Sequence, residues 1–271
     1  MKVAALQMVS TPRREDNLAT ARGLLEQAAA QGVEMAVLPE YFGAMGARDT
    51  DKLALSEQPG EGVVQSFLAQ AARELGLWIV GGTLPMASTA PGRVRNTVLA
   101  YAPDGACVAR YDKIHLFRFD NGSERFDEGA TIEPGDAPVQ FRLRSRDGQA
   151  WCVGLSVCYD LRFPELYRQH ARAGADLLLV PSAFTHTTGQ AHWEVLLRAR
   201  AIENQAYVLA PAQGGRHENG RRTWGHSMLV DPWGEVLAVR PEGAGVVAGL
   251  LDRERLRQVR LQLPALEHRV L

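Results

Sequence analysis

The sequence predicts an α/β protein in which two mixed β-sheets, each with helices on one face, pack sheet against sheet. Short apolar runs alternate with helical patterns in the order β-α-β-α-β, and this order occurs twice, each time followed by hairpin strands. The chain has 271 residues, 46% of them hydrophobic, which is enough for one large core, and no stretch has the composition of a linker. We therefore expect residues 1–271 to form a single domain.

The first half of the chain has three predicted strands that alternate with two predicted helices. These are a strand over 3–8, a helix over 16–31, a strand over 35–40, a helix over 62–75 and a strand over 77–83. Gly32 and Gly76 mark the ends of the helices, because glycine is common directly after a helix. Asp104-Gly105 joins two alternating runs, 95–101 and 106–111, and predicts a hairpin. Residues 114–138 have little periodicity, and a loop of this length is usually functional.

The second half repeats this order. The predicted elements are a strand over 151–158, a helix over 165–173, a strand over 175–181, a helix over 190–206, a strand over 207–211, hairpin strands over 224–230 and 235–239, and a last strand over 246–251. Pro164 suits the first position of a helix. The alternation of Arg142, Arg144 and Arg146 with other residues predicts a solvated sheet face.

Charge and cysteine content exclude several classes of function. With 30 Lys and Arg against 31 Asp and Glu, no basic surface is predicted, so neither nucleic acid nor membrane is an expected partner. Cys107, Cys152 and Cys158 are too few for a disulfide framework, and no zinc-binding spacing occurs, so no metal is predicted. Neither a membrane-spanning segment nor a signal peptide is apparent. We expect a soluble cytoplasmic protein in which Cys107 and Cys152 pack inside strands.

Three predicted strand ends carry reactive side chains, namely Glu40, Lys113 and Cys158. Cys158 lies where a strand turns into a helix, and free backbone N–H groups at such a junction favour a thiolate. Loops at strand ends can converge on one crevice, where a carboxylate takes the thiol proton, the thiolate attacks a carbonyl and an ammonium stabilises the oxyanion. Taken singly, each residue has a plainer explanation: Cys158 as a buried small residue, and Glu40 and Lys113 as solvated strand ends.

Five segments together form a specific pattern. They are Leu38-Pro39-Glu40, Tyr111-Asp112-Lys113-Ile114-His115-Leu116-Phe117, Cys158-Tyr159-Asp160-Leu161-Arg162-Phe163-Pro164-Glu165, Pro181-Ser182-Ala183-Phe184-Thr185 with His192-Trp193, and Arg200-Ala201-Ile202-Glu203-Asn204. With these segments the sequence resembles the nitrilase superfamily of carbon–nitrogen hydrolases over nearly its whole length. The resemblance implies a four-layer α-β-β-α sandwich and a Glu–Lys–Cys triad at Glu40, Lys113 and Cys158. It also implies a second glutamate in the site, for which Glu128 is the candidate and Glu124 the alternative.

Further residues are candidates for binding substrate. The backbone N–H of Tyr159 directly follows Cys158 and is expected to be the second oxyanion donor. Arg162 could bind a substrate carboxylate, or it could form an ion pair with Asp160 or Glu165. The residues expected to line the pocket are Phe184 and Thr185.

The resemblance implies an amidase that acts through a thioester and needs no metal or organic cofactor. The sequence is most similar to amidases that convert deaminated glutathione to 2-oxoglutarate and Cys-Gly, and to omega-amidases that act on 2-oxoglutaramate; residues 224–234 resemble the former more. Both substrates are 2-oxo acids, which would give Arg162 a carboxylate to bind. Alternatives are another small-amide or N-carbamoyl hydrolase, an acyltransferase that uses the same thioester, and a catalytically silent binding protein. The resemblance further implies a homodimer or higher homo-oligomer through the helices over 165–173 and 190–206.

Overall fold

In the computed structural model, which describes residues 1–122 and 125–270, helices and strands alternate along the chain. The α-helices are α1 (Arg14–Ala30), α2 (Asp51–Ala54), α3 (Val63–Leu75), α4 (Pro164–Arg172), α5 (His186–Asn204) and α6 (Arg253–Gln262). The strands are β1 (Lys2–Gln7), β2 (Met35–Val37), β3 (Trp78–Val80), β4 (Leu84–Ala87), β5 (Val94–Tyr101), β6 (Cys107–Asp112), β7 (Arg118–Asp120), β8 (Arg125–Asp127), β9 (Gln140–Arg144), β10 (Ala150–Leu155), β11 (Leu177–Leu179), β12 (Tyr207–Ala210), β13 (Gly214–Arg216), β14 (Arg222–Trp224), β15 (Ser227–Val230), β16 (Val236–Arg240) and β17 (Gly245–Leu250). Short 3₁₀ helices cover Glu128–Ala130 and Cys158–Arg162.

The strands form two large mixed sheets, as predicted. The first sheet has the order β17-β1-β2-β3-β5-β4, with β6 also paired to β5, and the second has the order β16-β15-β12-β11-β10-β9. In each sheet three neighbouring strands are parallel, β1 to β3 in the first and β10 to β12 in the second. The other strands add antiparallel pairs at the edges. β17 lies in the second half of the sequence but belongs to the first sheet, where it pairs with β1 along its whole length.

The two cores follow from the alternation of side chains along the strands. In β1, Val3 and Ala5 face the core between the two sheets, whereas Ala4 and Leu6 face the core beneath α1 and α3. The core between the sheets continues through the second sheet to buried residues of α4 and α5, among them Trp193. The layers are therefore helices, sheet, sheet and helices, and the predicted four-layer α-β-β-α sandwich is confirmed.

Some local predictions were wrong or incomplete. Residues 114–138, predicted as loop, contain the two-stranded ribbon β7–β8 and a 3₁₀ turn. The helix predicted over 190–206 begins earlier, at His186, because the Thr185 hydroxyl accepts a hydrogen bond from the Thr188 N–H and caps it. Cys152 is buried as predicted, but Cys107 is exposed, since it begins β6 at a sheet edge where the first side chains face solvent. Within residues 1–122 and 125–270, every helix is too short or too polar to cross a membrane.

Candidate active site

Glu40 lies in the turn after β2, and polar groups from both halves of the sandwich hold its carboxylate. The Lys113 Nζ, directly after β6, donates to Glu40 Oε1 at 3.0 Å, and the Asn96 side chain donates to the same oxygen at 3.0 Å. The Ala183 N–H, from the loop after β11, donates to Glu40 Oε2 at 3.0 Å. Both Glu40 and Lys113 are buried. The carboxylate is thus fixed by contacts from both sheets.

Glu128 is the second carboxylate on Lys113. Its Oε1 and Oε2 atoms lie 3.0 Å and 2.8 Å from the Lys113 Nζ. The Tyr41 hydroxyl donates to Oε1 at 2.7 Å, and the Phe117 N–H donates to Oε2 at 2.7 Å. The ribbon β7–β8 ends directly before Glu128 and so positions its carboxylate in the site. The contacts bring Glu128 beside Lys113, whereas Glu124 lies outside the described residues.

The charges of this cluster stabilise one another. Burial lowers the pKa of Lys113, but the adjacent Glu128 and Glu40 carboxylates outweigh burial and raise it overall. Burial raises the pKa of Glu128, but the Lys113 ammonium and the hydrogen bonds to the carboxylate lower it overall. At neutral pH Lys113 is therefore an ammonium and Glu128 a carboxylate. An ammonium can stabilise a developing oxyanion but cannot act as a base.

Cys158 begins a 3₁₀ helix after β10 in a constrained backbone conformation. Its φ is +47°, in the left-handed region that non-glycine residues rarely adopt, and its N–H donates to the Pro181 carbonyl at 3.0 Å. Burial, followed by the charge of Glu40, raises the pKa of the Cys158 thiol well above 9.0, although Lys113 opposes this. The prediction that this junction favours a thiolate is wrong for the free protein, because burial and the charge of Glu40 raise the pKa of the thiol. The thiol therefore needs a base before it can attack.

Asp160, which the sequence analysis considered only as a possible ion-pair partner of Arg162, organises the surrounding backbone. It accepts hydrogen bonds from the Val157 N–H at 2.8 Å and from the Tyr111 hydroxyl at 2.7 Å. It also accepts the His115 N–H at 3.1 Å and contacts His115 Nδ1 at 2.7 Å. Asp160 thereby ties the turn that carries the thiol to the segment at the end of β6. An aspartate two residues after the candidate nucleophile was the signal available in the sequence.

The residues predicted to bind substrate all border one small cavity beside the thiol. This cavity, of about 20 Å³, is lined by Phe117, Cys158, Tyr159, Arg162, Ala183, Phe184, Thr185 and Thr188. The N–H of Tyr159 lies in the first turn of the 3₁₀ helix, where N–H groups have no acceptor within the helix. Thr185 has a further structural role, because its hydroxyl contacts that of Thr188 at 2.8 Å in the cap of α5.

Arg162 is held by aromatic rings. Its guanidinium carbon lies 5.8 Å from the centroid of the Tyr159 ring and 5.5 Å from that of Phe184. One guanidinium nitrogen is 3.3 Å from His192 Nδ1. Within the described ranges no carboxylate lies within 4.0 Å of this guanidinium, so the alternative of an ion pair with a neighbouring acid was wrong. The charge remains available for an anion in the small cavity.

A second cavity, of about 70 Å³, lies on the Glu128 side of the site. Tyr41, Asn96 and Glu128 border it, and Phe117 borders both cavities. In the part of the chain that the structure describes, no group of three or more His, Cys, Asp or Glu side chains is arranged to hold a metal ion.

Comparison with known proteins agrees with the resemblance noted in the sequence. Residues 2–261 match the family model described as carbon-nitrogen hydrolase. The chain belongs to the carbon–nitrogen hydrolase family. This carbon–nitrogen hydrolase is 43% identical over 269 residues to deaminated glutathione amidase from Synechocystis sp. (strain PCC 6803), and the alignment covers 98% of this chain and 97% of that protein. It is 37% identical over 264 residues to omega-amidase NIT2-A from Xenopus laevis, with coverage of 97% and 92%.

A solved structure supports the same assignment. Nit3 from Saccharomyces cerevisiae, described as a member of branch 10 of the nitrilase superfamily, matches this carbon–nitrogen hydrolase with a TM-score of 0.88 and 31% identity. The match covers 100% of this chain and 97% of that one. Family and relatives together show an enzyme of the amidase type, which hydrolyses carbon–nitrogen bonds.

Proposed function

We propose that this carbon–nitrogen hydrolase cleaves deaminated glutathione into 2-oxoglutarate and Cys-Gly through a thioester on Cys158. The observation that carries the proposal is the buried Lys113 ammonium, held between Glu40 and Glu128 at a site that Cys158 completes. The choice of substrate is supported by the 43% identity to a deaminated glutathione amidase over nearly the full length of both proteins.

The proposed reaction has two halves. Glu40 takes the thiol proton as the Cys158 sulfur attacks the amide carbonyl, because the raised pKa of the thiol leaves it protonated beforehand. The Lys113 ammonium and the Tyr159 N–H stabilise the oxyanion. The carbon–nitrogen bond then breaks, the amine leaves with the proton held by Glu40, and a thioester remains. In the second half Glu40 removes a proton from water, the resulting hydroxide attacks the thioester, and the acid is released as sulfur regains its proton.

Glu128 is proposed to act through Lys113. Its two oxygens lie 3.0 Å and 2.8 Å from the ammonium, which it keeps charged and oriented. The Tyr41 hydroxyl and the Phe117 N–H fix the carboxylate in turn. Glu128 is therefore a positioning residue in this proposal.

Arg162 is proposed to bind the 2-oxo acid carboxylate of the acyl group. Its guanidinium borders the same small cavity as Cys158 and has no acidic partner within the described ranges. Phe184 and Thr185 line the remaining wall. A carboxylate bound by the guanidinium fork would fix the acyl chain against the aromatic rings.

The experiment compares wild type, Cys158→Ala and the matched control Cys152→Ala, another buried free cysteine. Each is incubated with deaminated glutathione and, separately, with 2-oxoglutaramate, and release of 2-oxoglutarate is measured. Turnover of the first substrate that exceeds turnover of the second, persists in the control and disappears in Cys158→Ala would support the proposal. Preference for 2-oxoglutaramate would favour an omega-amidase, for which the 37% identity to omega-amidase NIT2-A is the supporting observation. Activity that survives Cys158→Ala would contradict the mechanism, and amide products formed with an added amine would indicate an acyltransferase.

We also propose that the enzyme forms a homodimer through α4 and α5 and acts in the cytoplasm. Two apolar side chains on α5 are exposed, Val195 at 68% and Ile202 at 49%, and burial against a second copy would remove them from water. Three cysteines without a disulfide among them suit a reducing compartment. A mass measurement by light scattering tests the assembly, and Val195→Glu with Ile202→Glu should shift it to monomer.

A further inference from the structure

Two of the basic side chains that border the larger cavity, on the Glu128 side of Phe117, have no carboxylate within 4.0 Å among the described residues, namely Lys52 and Arg221. Asp49, Asp127 and Glu128 border the same cavity. Its wall includes the segment 43–55 with α2, the residues around Glu128, and Arg221 from a different part of the chain. The carboxylate of Glu128 is fully used by Lys113, Tyr41 and the Phe117 N–H. Its charge acts on Lys52 only from a longer distance, without a direct contact.

Lys52 is the first of these cations. Its Nζ is 3.3 Å from the Thr131 hydroxyl oxygen and 5.8 Å from the centroid of the Tyr41 ring. No carboxylate lies within 4.0 Å of this ammonium in residues 1–122 and 125–270. Burial lowers the pKa of Lys52, and the more distant charges of Glu128 and Asp49 oppose that effect. A desolvated ammonium next to a cavity favours an anion in that cavity.

Arg221 and Arg14 supply further donors. The Arg221 guanidinium stacks 5.1 Å from the centroid of the Phe126 ring and donates to the Met45 sulfur at 3.6 Å, which is a weak acceptor. No carboxylate among the described residues lies within 4.0 Å of the Arg221 guanidinium. The buried Nε of Arg14, which borders the same cavity, has no hydrogen-bond partner among the described residues, although Glu15 Oε1 lies 3.9 Å away. Buried donors of this kind normally have a partner, so the cavity is suited to a ligand with acceptor oxygens.

We propose that this cavity binds the carboxylate of the amine leaving group, with Lys52 and Arg221 as its principal contacts. The inference rests on the proposed function, in which Arg162 holds the acyl carboxylate on the other side of Phe117. In deaminated glutathione the leaving group is a dipeptide that ends in a glycine carboxylate, and the cavity of about 70 Å³ is the larger of the two. The cavity also borders Asn96, which contacts Glu40, the group that protonates the leaving amine.

This arrangement determines the class of amide that the enzyme prefers. A substrate with a carboxylate at each end contacts Arg162 with one end and Lys52 and Arg221 with the other. 2-Oxoglutaramate releases ammonia and has no group to place in the larger cavity. The cavity thus selects an N-substituted amide that carries an acid over a primary amide.

The experiment uses a matched substrate pair, deaminated glutathione and its analogue in which the glycine carboxylate is a carboxamide. A charge-assisted hydrogen bond lost without replacement corresponds to about a 10- to 100-fold change in kcat/KM, so wild type should prefer the acid by roughly that factor. Lys52→Met and Arg221→Met should each reduce this preference about tenfold and leave turnover of 2-oxoglutaramate near the wild-type rate. Arg257→Met is the control, because Arg257 lies in α6, outside the cavity lining, is 60% exposed and is already paired with Glu254.

The outcomes separate the two proposals. Normal turnover of deaminated glutathione with no preference for the acid, or a preference unchanged in both variants, would overturn the cavity assignment alone. The variants could instead melt like wild type and lose kcat/KM equally on deaminated glutathione, its carboxamide and 2-oxoglutaramate. That result would show that the acyl carboxylate occupies this cavity, and it would also overturn the assignment to the leaving group. No turnover of deaminated glutathione by wild type would overturn both proposals.

Discussion

Lys113→Met gives the sharpest test of the charge arrangement in the site. The Lys113 Nζ makes three hydrogen bonds of 2.8 to 3.0 Å to Glu40 and Glu128, and its side chain has 0% exposure. Removing one partner from a buried ion pair costs about 3–5 kcal/mol, and here two carboxylates lose the same partner, so we expect about 5 kcal/mol. For a chain of this size that lowers Tm by roughly 10–20 °C. Loss of an oxyanion donor should also reduce kcat about 10²- to 10³-fold.

The stability loss in Lys113→Met should shrink as the pH falls. Without the ammonium, burial raises the pKa of the Glu128 carboxyl above its unfolded-state value, so the folded variant takes up a proton and gains stability toward acid. Wild type behaves in the opposite way, because the pKa of Glu128 is lower in the folded than in the unfolded state. This difference stabilises the fold at pH values above the unfolded-state pKa of 4.5, and the stabilisation is lost as the pH falls through the folded-state pKa. Thermal unfolding at about pH 5 and about pH 8 measures both trends.

Lys2→Met is the matched control, because the Lys2 ammonium donates to the Gln31 carbonyl at the surface. It should melt close to wild type at both pH values. If Lys113→Met is as stable as the control at the higher pH, or its deficit is the same at both, the electrostatic account of the site is wrong.

Three further predictions follow from the site and its supports. Glu128→Gln leaves the buried ammonium with one charged acceptor, so kcat should fall about 10²-fold with little change in KM, and unchanged kcat would contradict the positioning role. Because burial raises the pKa of Cys158 well above 9.0, its alkylation rate, followed by peptide mass mapping, should keep rising through about pH 9 and not level off near neutrality. Gly82→Ala would bring a Cβ within 2.0 Å of the Pro39 carbonyl oxygen at a φ of +50°, so it should lower Tm and activity together, whereas Gly32→Ala, with a φ of +76° and open space, should cost only about 1–2 kcal/mol.

The catalytic strand ends could be predicted because their signals are local in sequence. Pro39 marks the end of the strand before Glu40, and Pro164 marks the helix that follows Cys158. Glu128 was harder, since it lies in a polar segment without periodicity and only the family resemblance indicated it. The pairing of β7 with β8 explains how it reaches Lys113. The state of the Cys158 thiol could not be predicted, because its pKa depends on burial by residues distant in the chain.

Other features depend on tertiary structure alone. Lys52 and Arg221 come from segments far apart in the sequence, and no local pattern indicates that they share a cavity. The start of α5 was missed because His186, Thr187 and Gly189 are poor helix formers, and the cap at Thr185 outweighs their low propensity. The apolar run of β17 would suit either sheet, so its pairing with β1 could not be predicted from its pattern.

The pairing of β17 with β1 affects the order in which the enzyme can mature during its synthesis. While the ribosome is still adding residues before 245, β1 has an open edge, and the first sheet is incomplete. The Glu40 carboxylate needs the Ala183 N–H from the opposite sheet, so its final position depends on stable association of the two halves. A nascent chain is therefore expected to lack a positioned Glu40 base beside the thiol, and hydrolysis begins only once the late strand has closed the sheet.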